Sequence, residues 1–332
     1  VQYFNERNRA VVPKFLKGVI APMFTPCKPD GSLDPWGAAE FANFLCGRDG
    51  ISSVFPRSGL GRMYTFTKEE VKLIIDAVID AVAGDAGVIP GTAGIWDKNP
   101  RKKPDPQRYT AETTELSLYA QEKGADGVVI VMPEALPEKP KATLYDRICA
   151  YYQEVSSAIN IPIVIYHPPG VAAPYRITPE LFQSLLEIKG VTGMKYSMPD
   201  MYQFGLIALL APKRFALIAG HEGAFLSALA LGAVGVIGQG CCVCPEILRA
   251  VYDHFRRGDW RRARKAQRAV NKLLEESAGI DIAVFGKQYA NEKGYDVPLS
   301  LRKTEQPVTV TQYSRFETAL ELALEPYEFR FT

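Results

Sequence analysis

The residue best suited to chemistry in this sequence is a lysine near the end of a short apolar run, Val191-Thr192-Gly193-Met194-Lys195-Tyr196-Ser197. If the run is a buried parallel strand, alternation puts Val191, Gly193 and Lys195 on one face. Burial there disfavours the ammonium form, lowers the pKa and leaves a neutral amine that can attack a carbonyl carbon. Gly193 is expected to leave room for the lysine stem; the competing arrangement is a strand-end lysine that snorkels to solvent. A second run, Pro162-Ile163-Val164-Ile165-Tyr166-His167-Pro168-Pro169-Gly170, carries a tyrosine just before a rigid turn. If the two runs are adjacent strands, the Tyr166 phenol stands beside the amine and can serve proton transfers at a lysine-bound intermediate. Otherwise Tyr166 is an aromatic covering a rim.

The elements that would position these groups recur along the chain. Short, nearly continuous apolar runs occupy Gly18–Phe24, Ile51–Phe55, Gly87–Gly91, Gly127–Met132, Ile161–Tyr166, Val191–Lys195, Phe215–Gly220 and Val234–Gly238. Parallel strands covered on both faces read this way. Amphipathic stretches lie between them, with 3.6-residue spacing at Thr67–Val82, Tyr109–Lys123, Thr143–Ile159, Thr178–Ile188 and Pro245–Arg257. In the first, Thr67 and Glu70 form a capping-box pair ahead of the stripe Val71, Ile74, Ile75 and Val78. The pattern predicts an α/β chain, a (β/α)8 TIM barrel over residues 18–257. An N-terminal arm (1–17) precedes it and a C-terminal helical extension (258–332) follows, with helices at Trp260–Ser277, Ile282–Glu292 and Gln312–Leu324. An open dinucleotide-binding sheet is the rival, but no GxGxxG follows the first run.

The totals exclude several classes of function. The chain has 332 residues, 47% of them hydrophobic, and a formal net charge of +2. That balance gives no general argument for a nucleic-acid or membrane partner. No apolar run approaches the roughly 18 residues of a membrane span, and the polar first residues lack a signal-peptide core, so a cytoplasmic location is expected. The arginine-rich stretch Arg256–Arg268 reads as a solvated helix face or a subunit contact rather than a nucleic-acid patch. Cys241-Cys242-Val243-Cys244 contains a single CxxC spacing with no second pair, so buried thiols are expected there and no metal.

In combination, Gly193-Met194-Lys195 on the sixth run and Tyr166 on the fifth resemble the dihydrodipicolinate synthase / N-acetylneuraminate lyase superfamily of class I Schiff-base aldolases. Further matching segments are Ala21-Pro22-Met23-Phe24-Thr25-Pro26, Asp30-Gly31-Ser32-Leu33-Asp34, Thr65-Phe66-Thr67-Lys68-Glu69-Glu70, Ala228–Ile237 and Gly294–Leu301. The resemblance covers about residues 17–302. It implies a lyase that joins Lys195 to a 2-oxo acid, commonly pyruvate, as a covalent Schiff base. It implies no metal or other cofactor, a proton shuttle at Tyr166, and a homotetramer or dimer. The implied substrate-binding set is Ser58, Gly59, Leu60, Arg62, His167, Gly220 and Ile237.

Departures from the family pattern bear on the substrate. A Gly-Thr-Thr-Gly-Glu-like loop after the second strand becomes Ser58-Gly59-Leu60-Gly61-Arg62, which removes two hydroxyls and a carboxylate. A tyrosine pair after the fourth strand becomes Glu134-Ala135, and a substrate-binding arginine aligns with Val171. These losses argue against synthesis of 4-hydroxy-tetrahydrodipicolinate while leaving the lysine chemistry intact. The alternatives are that synthase itself, a dehydratase or deaminase of a 2-oxo-3-deoxy acid using the same lysine, or an inactive small-molecule-binding paralogue. The lengthened loop Ile95–Arg108 is expected to be a lid or a subunit contact. Arg57, Arg62, His221 and Glu222 are expected to form a polar rim.

Overall fold

The computed structural model describes residues 11–137, 140–300, 302 and 307–327. Eight strands, β1 (Gly18–Pro22), β2 (Ile51–Phe55), β3 (Gly87–Val88), β4 (Val128–Val131), β5 (Ile163–His167), β6 (Val191–Tyr196), β7 (Ala216–Ala219) and β8 (Gly235–Val236), pair in parallel in the order β3-β2-β1-β8-β7-β6-β5-β4. A parallel bridge between Gly91 and Val129 joins the two ends and closes the ring. The expected (β/α)8 TIM barrel is the observed architecture. Every residue of β1, β4, β5 and β7 is buried, which is why these strands read as unbroken apolar runs.

The helices outside the ring are α1 (Pro35–Cys46), α2 (Lys68–Val82), α3 (Pro106–Lys123), α4 (Lys141–Ala158), α5 (Pro179–Leu186), α6 (Met201–Leu210), α7 (Phe225–Ala230) and α8 (Pro245–Arg256). Their starts follow from local chemistry. Thr67 and Glu70 make the reciprocal capping box of α2. Asp105 accepts from the Arg108 amide and Pro106 takes the first helical position, so α3 begins three residues before the expected Tyr109. β3 and β8 are shorter than the runs that announced them. At Gly235 a Cβ would stand 2.9 Å from the Gly18 carbonyl oxygen, so this crossing closes only on glycine.

The extension consists of α9 (Trp260–Glu276), α10 (Ile282–Glu292) and α11 (Val310–Leu324). The inner face of α9 is Ala263, Ala266, Val270 and Leu273, while Arg261, Arg262, Arg264, Lys265 and Arg268 are exposed. α10 joins barrel to extension through aromatic contacts: Tyr289 meets Phe44 of α1 edge-on at 6.2 Å, and Phe285 meets Phe316 of α11 at 4.6 Å. Gly286 lies against Phe24, just beyond β1, so the extension leans on the rim where the strands end. Of the expected N-terminal arm, residues 1–10 lie outside the described residues, as do 328–332 of the extension and Leu301 of the last matching segment. Among the described residues no helix is long and apolar enough to cross a membrane.

Candidate active site

β5 and β6 are neighbours, and their register sets Tyr166 opposite Lys195. Both side chains turn inward. The Lys195 Nζ lies 4.2 Å from the Tyr166 ring centre and 6.0 Å from that of Phe55, the last residue of β2. Phe55 and Tyr166 meet edge to face at 6.4 Å. β2 stands across the ring from β5 and β6, so these three side chains can converge only inside the barrel, at the C-terminal ends of the strands. Lys195 is 5% exposed, and burial pulls its pKa down to about 8, against smaller opposing contributions from Cys241, Glu222 and Cys242. At that value roughly one lysine in ten is neutral at pH 7, against about one in three thousand at an ordinary 10.5. Burial, with Tyr64 adding to it, pushes the Tyr166 phenol well above its usual range, so it stays protonated and can donate. Gly193 differs from expectation. A Cβ there would stand 3.0 Å from the Ala216 Cβ and carbonyl oxygen, so the glycine admits β7 rather than the lysine stem.

The loop after β2 divides the expected binding residues. Ser58 is fully buried, donates to the Met23 carbonyl at 2.9 Å and accepts from the Gly61 amide at 3.0 Å. Its hydroxyl is used in shaping the loop and does not face the mouth. Gly61 is pressed onto the end of β1, where a Cβ would stand 2.6 Å from the Met23 carbonyl. Gly59 does reach the site: a Cβ there would sit 3.1 Å from the Tyr166 hydroxyl. Among the described residues the amides of Gly59 and Leu60 donate to no protein acceptor, which leaves two unpaired N–H groups in this loop. Arg62 adopts a left-handed backbone (φ 60°) and approaches Asp281, at the start of α10, to 4.0 Å. Arg57 does not belong to a polar rim. It is buried and donates to the carbonyls of Met63, Gly91 and Ala93, pinning the β2 loop to the end of β3.

His167 is also kept from the mouth. It follows the inward Tyr166, so alternation turns it outward, where it stacks on Tyr196 at 4.9 Å, and Tyr196 in turn meets Phe204 of α6. Among the described residues neither of its ring nitrogens has a partner, and burial pulls its pKa down to about 4. Gly220 donates to the Tyr196 carbonyl and lies so near Ser197 that a Cβ would stand 2.0 Å from the serine oxygen. Ile237 is buried and donates to the Ala219 carbonyl. His221 is exposed and accepts from the Gly223 amide. Glu222 is buried and accepts from the Gly240 amide at 2.8 Å, and a Cβ on Gly238 would collide with its carboxylate. Cys241, Cys242 and Cys244 are buried free thiols, and among the described residues no cluster of His, Cys, Asp and Glu is placed to hold a metal.

Residues that sequence reading did not single out complete the mouth. Tyr64 sits in a 3-10 turn (Met63–Thr65) with the Lys98 ammonium 4.8 Å over its ring. Lys98 comes from the long loop, with a left-handed backbone (φ 63°), and pairs with Glu134 at 2.7 Å. Glu134 also accepts from the Ala172 amide, while Lys103 donates to the Leu136 carbonyl and the Tyr175 hydroxyl. The loops after β2, β3, β4 and β5 are thus tied together by charge. Tyr64 carried no signal of its own in the sequence; only the turn that follows the β2 loop brings it in.

The description "Dihydrodipicolinate synthetase family" belongs to the family model that matches residues 15–323. The chain is 31% identical over 267 residues to a 4-hydroxy-tetrahydrodipicolinate synthase 1 of Streptomyces coelicolor, covering 80% of each chain. Its fold is similar to an N-acetylneuraminate lyase from Mycoplasma synoviae, with TM-score 0.76, 23% identity, and coverage of 92% of this chain and 98% of that one. A prophage protein of the dihydrodipicolinic acid synthase family from E. coli K12, crystallised in complex with pyruvate, matches with the same TM-score, identity and coverage.

Proposed function

From the premise that the chain belongs to the dihydrodipicolinate synthetase family, we propose that this class I aldolase-type lyase forms a Schiff base between Lys195 and a 2-oxo acid, either pyruvate or a substrate that yields it. The observation that carries the reading is the buried Lys195 amine, its pKa drawn down to about 8, 4.2 Å from the Tyr166 ring inside the barrel mouth. The neutral Nζ attacks C2 of the oxo acid, and the proton it sheds passes through the Tyr166 hydroxyl to the carbinolamine oxygen. A second proton, taken from solvent through the same hydroxyl, lets the carbinolamine oxygen leave as water and leaves an iminium. That cation draws electrons from a bond to C3, so either a proton or a carbon substituent can leave, and hydrolysis returns the lysine. The free amides of Gly59 and Leu60 suit the carboxylate, since backbone N–H groups hold an anion without a side-chain hydroxyl. The lysine itself supplies the electron sink, so the reading requires no metal or cofactor. The prophage relative bound to pyruvate is consistent with that ligand class.

Self-association is part of the proposal, as a homotetramer or dimer. α6 is apolar on every face, yet only Phe204 and Ile207 are buried, and Tyr202 and Leu209 are 72% and 83% exposed. Such a helix is expected to be covered by another subunit.

The test is borohydride trapping with a panel of 2-oxo acids, read by intact mass. Pyruvic acid should add its own mass, less one water lost on condensation, plus the two hydrogens of reduction. Lys195→Ala should abolish that gain and Lys189→Ala should keep it. A reduced adduct on Lys195→Ala would assign the chemistry to another amine.

A further inference from the structure

At the end of the barrel opposite Lys195 lies a cavity of about 350 Å³. Its walls come from places far apart in sequence. Lys17 precedes β1, Lys213 precedes β7 and Arg256 ends α8, while Leu229, Tyr252 and Phe255 supply apolar and aromatic surface. We propose that this cavity is a binding site for a small organic anion, a phosphate or carboxylate joined to an apolar or aromatic body.

Convergence of charge carries the argument. Among the described residues no acidic side chain lines the cavity. Among the described residues Lys17, Lys213 and Arg256 take part in no salt bridge, and the nearest acid along α8, Asp253, is bound to Arg249 at 2.9 Å. The arginines of α9 are different, because they project from a convex helix into water and repel one another little. Three cations facing one concavity raise its potential, and a bound anion is what relieves that. The walls then set the rest of the ligand. Phe255 is held in place by Trp260, edge-on at 5.0 Å, and so presents a fixed aromatic surface. A volume of this size suits a metabolite rather than a single ion.

The cavity is separate from the reaction. Lys17, Lys213 and Val234 stand at the N-terminal ends of their strands, whereas Lys195 and Tyr166 stand at the C-terminal ends. Five strand residues put the two sites on the order of 15 Å apart. The proposal therefore does not depend on the Schiff base, and either can fail alone.

The probe is 1-anilinonaphthalene-8-sulfonate, an anion on an aromatic body, titrated into the full chain and read by its fluorescence. Saturable binding near one per chain is expected, weakening steeply with salt. The double variant Lys213→Gln/Arg256→Gln changes two exposed side chains, so its fold and its trapping of pyruvate should persist while the probe binds at least about tenfold more weakly. Inorganic phosphate and a phenyl phosphate ester serve as competitors, the ester being the stronger if the aromatic wall contributes. Reducing pyruvate onto Lys195 beforehand should leave probe binding unchanged. Equal affinity in the double variant, loss of binding on reduction with pyruvate, or no saturable binding at all would each overturn the proposal.

Discussion

Replacing Lys195 with methionine should stabilise the protein while destroying its chemistry, and the gain should depend on pH in a defined way. Lys195 titrates near 8 in the fold, against 10.5 for an ordinary lysine. Below pH 8 the side chain is charged in both states, and the folded state bears the whole desolvation penalty. Holding the lysine at about 8 rather than 10.5 corresponds to about 3 kcal/mol. Between pH 8 and 10.5 the unfolded chain binds the proton and the folded one does not, so wild-type stability rises with pH through that window. Above it the penalty is gone. Methionine has a similar length and no charge, so Lys195→Met bears no such penalty at any pH. The variant's advantage should be about 3 kcal/mol at pH 7 and shrink to about 1 kcal/mol at pH 10. Urea unfolding of both proteins at the two pH values measures it, and comparing the gaps cancels every other titrating group. A gap that stays the same from pH 7 to pH 10 would falsify the placement of Lys195 in a desolvating pocket, whatever its absolute size.

Other outcomes follow from the same geometry. Tyr166→Phe keeps the ring beside Phe55 but removes the hydroxyl, so trapping of pyruvate should persist while turnover on any true substrate falls by about 10²–10⁴; unchanged turnover would remove Tyr166 from the proton path. The rate of imine formation should rise about tenfold per pH unit below 8 and level off above it, because the neutral amine is the nucleophile. A midpoint near 10 in that profile would contradict it. Leu209→Glu should lower the mass seen by analytical ultracentrifugation without loss of helicity, since Leu209 is 83% exposed on α6; identical masses would show that subunits meet elsewhere. Aspartate semialdehyde should be a poor co-substrate. On the resemblance, the family's carboxylate-binding arginine would fall at Val171, which is buried, and the β2 loop would lack the family's two hydroxyls. Their joint loss amounts to several kcal/mol, or roughly a thousandfold in rate, and turnover near 10 per second would show that these substitutions matter less.

Most of the frame was readable because fully buried parallel strands leave unbroken apolar runs, and caps such as Thr67–Glu70 mark where helices start. The meeting of Lys195 and Tyr166 was readable for the same reason, since two consecutive strands of a barrel are neighbours. What escaped reading has local causes. α6 gives no amphipathic signal because its outward face is as apolar as its inward one. The resemblance implies a binding role for His167, but His167 follows the inward Tyr166 and alternation sends adjacent residues to opposite faces. Ser58 and Arg57 carry the polar groups a binding loop would use, but backbone carbonyls take them, chiefly those of Met23 beyond β1 and of Gly91 and Ala93 beyond β3. Hydrogen-bond partners tens of residues away cannot be inferred from type and spacing.

That division also separates the parts of the site. The lysine and tyrosine stand on strands, where register fixes them to a fraction of an ångström whatever the loops do. The groups that would meet the far end of a substrate stand on loops, and here those loops are tied to one another. Glu134, which follows β4, pairs with Lys98 from the long loop after β3, and Lys98 in turn covers Tyr64 from the turn that follows the β2 loop. A single substitution at Glu134 would strand a partly buried lysine, and one at Lys98 would uncover the phenol and strand the carboxylate. The three therefore have to be judged as one unit. The unit offers a cation, a carboxylate and a phenol where the synthase pattern offers hydroxyls and an arginine. A rim of that chemistry suits a polyhydroxylated or otherwise hydrogen-bonding tail better than a second bare carboxylate, because Glu134 already holds the Lys98 charge. Under the proposed Schiff-base reading, the lysine and tyrosine would then serve the imine while these three groups decide which partner is cleaved from it.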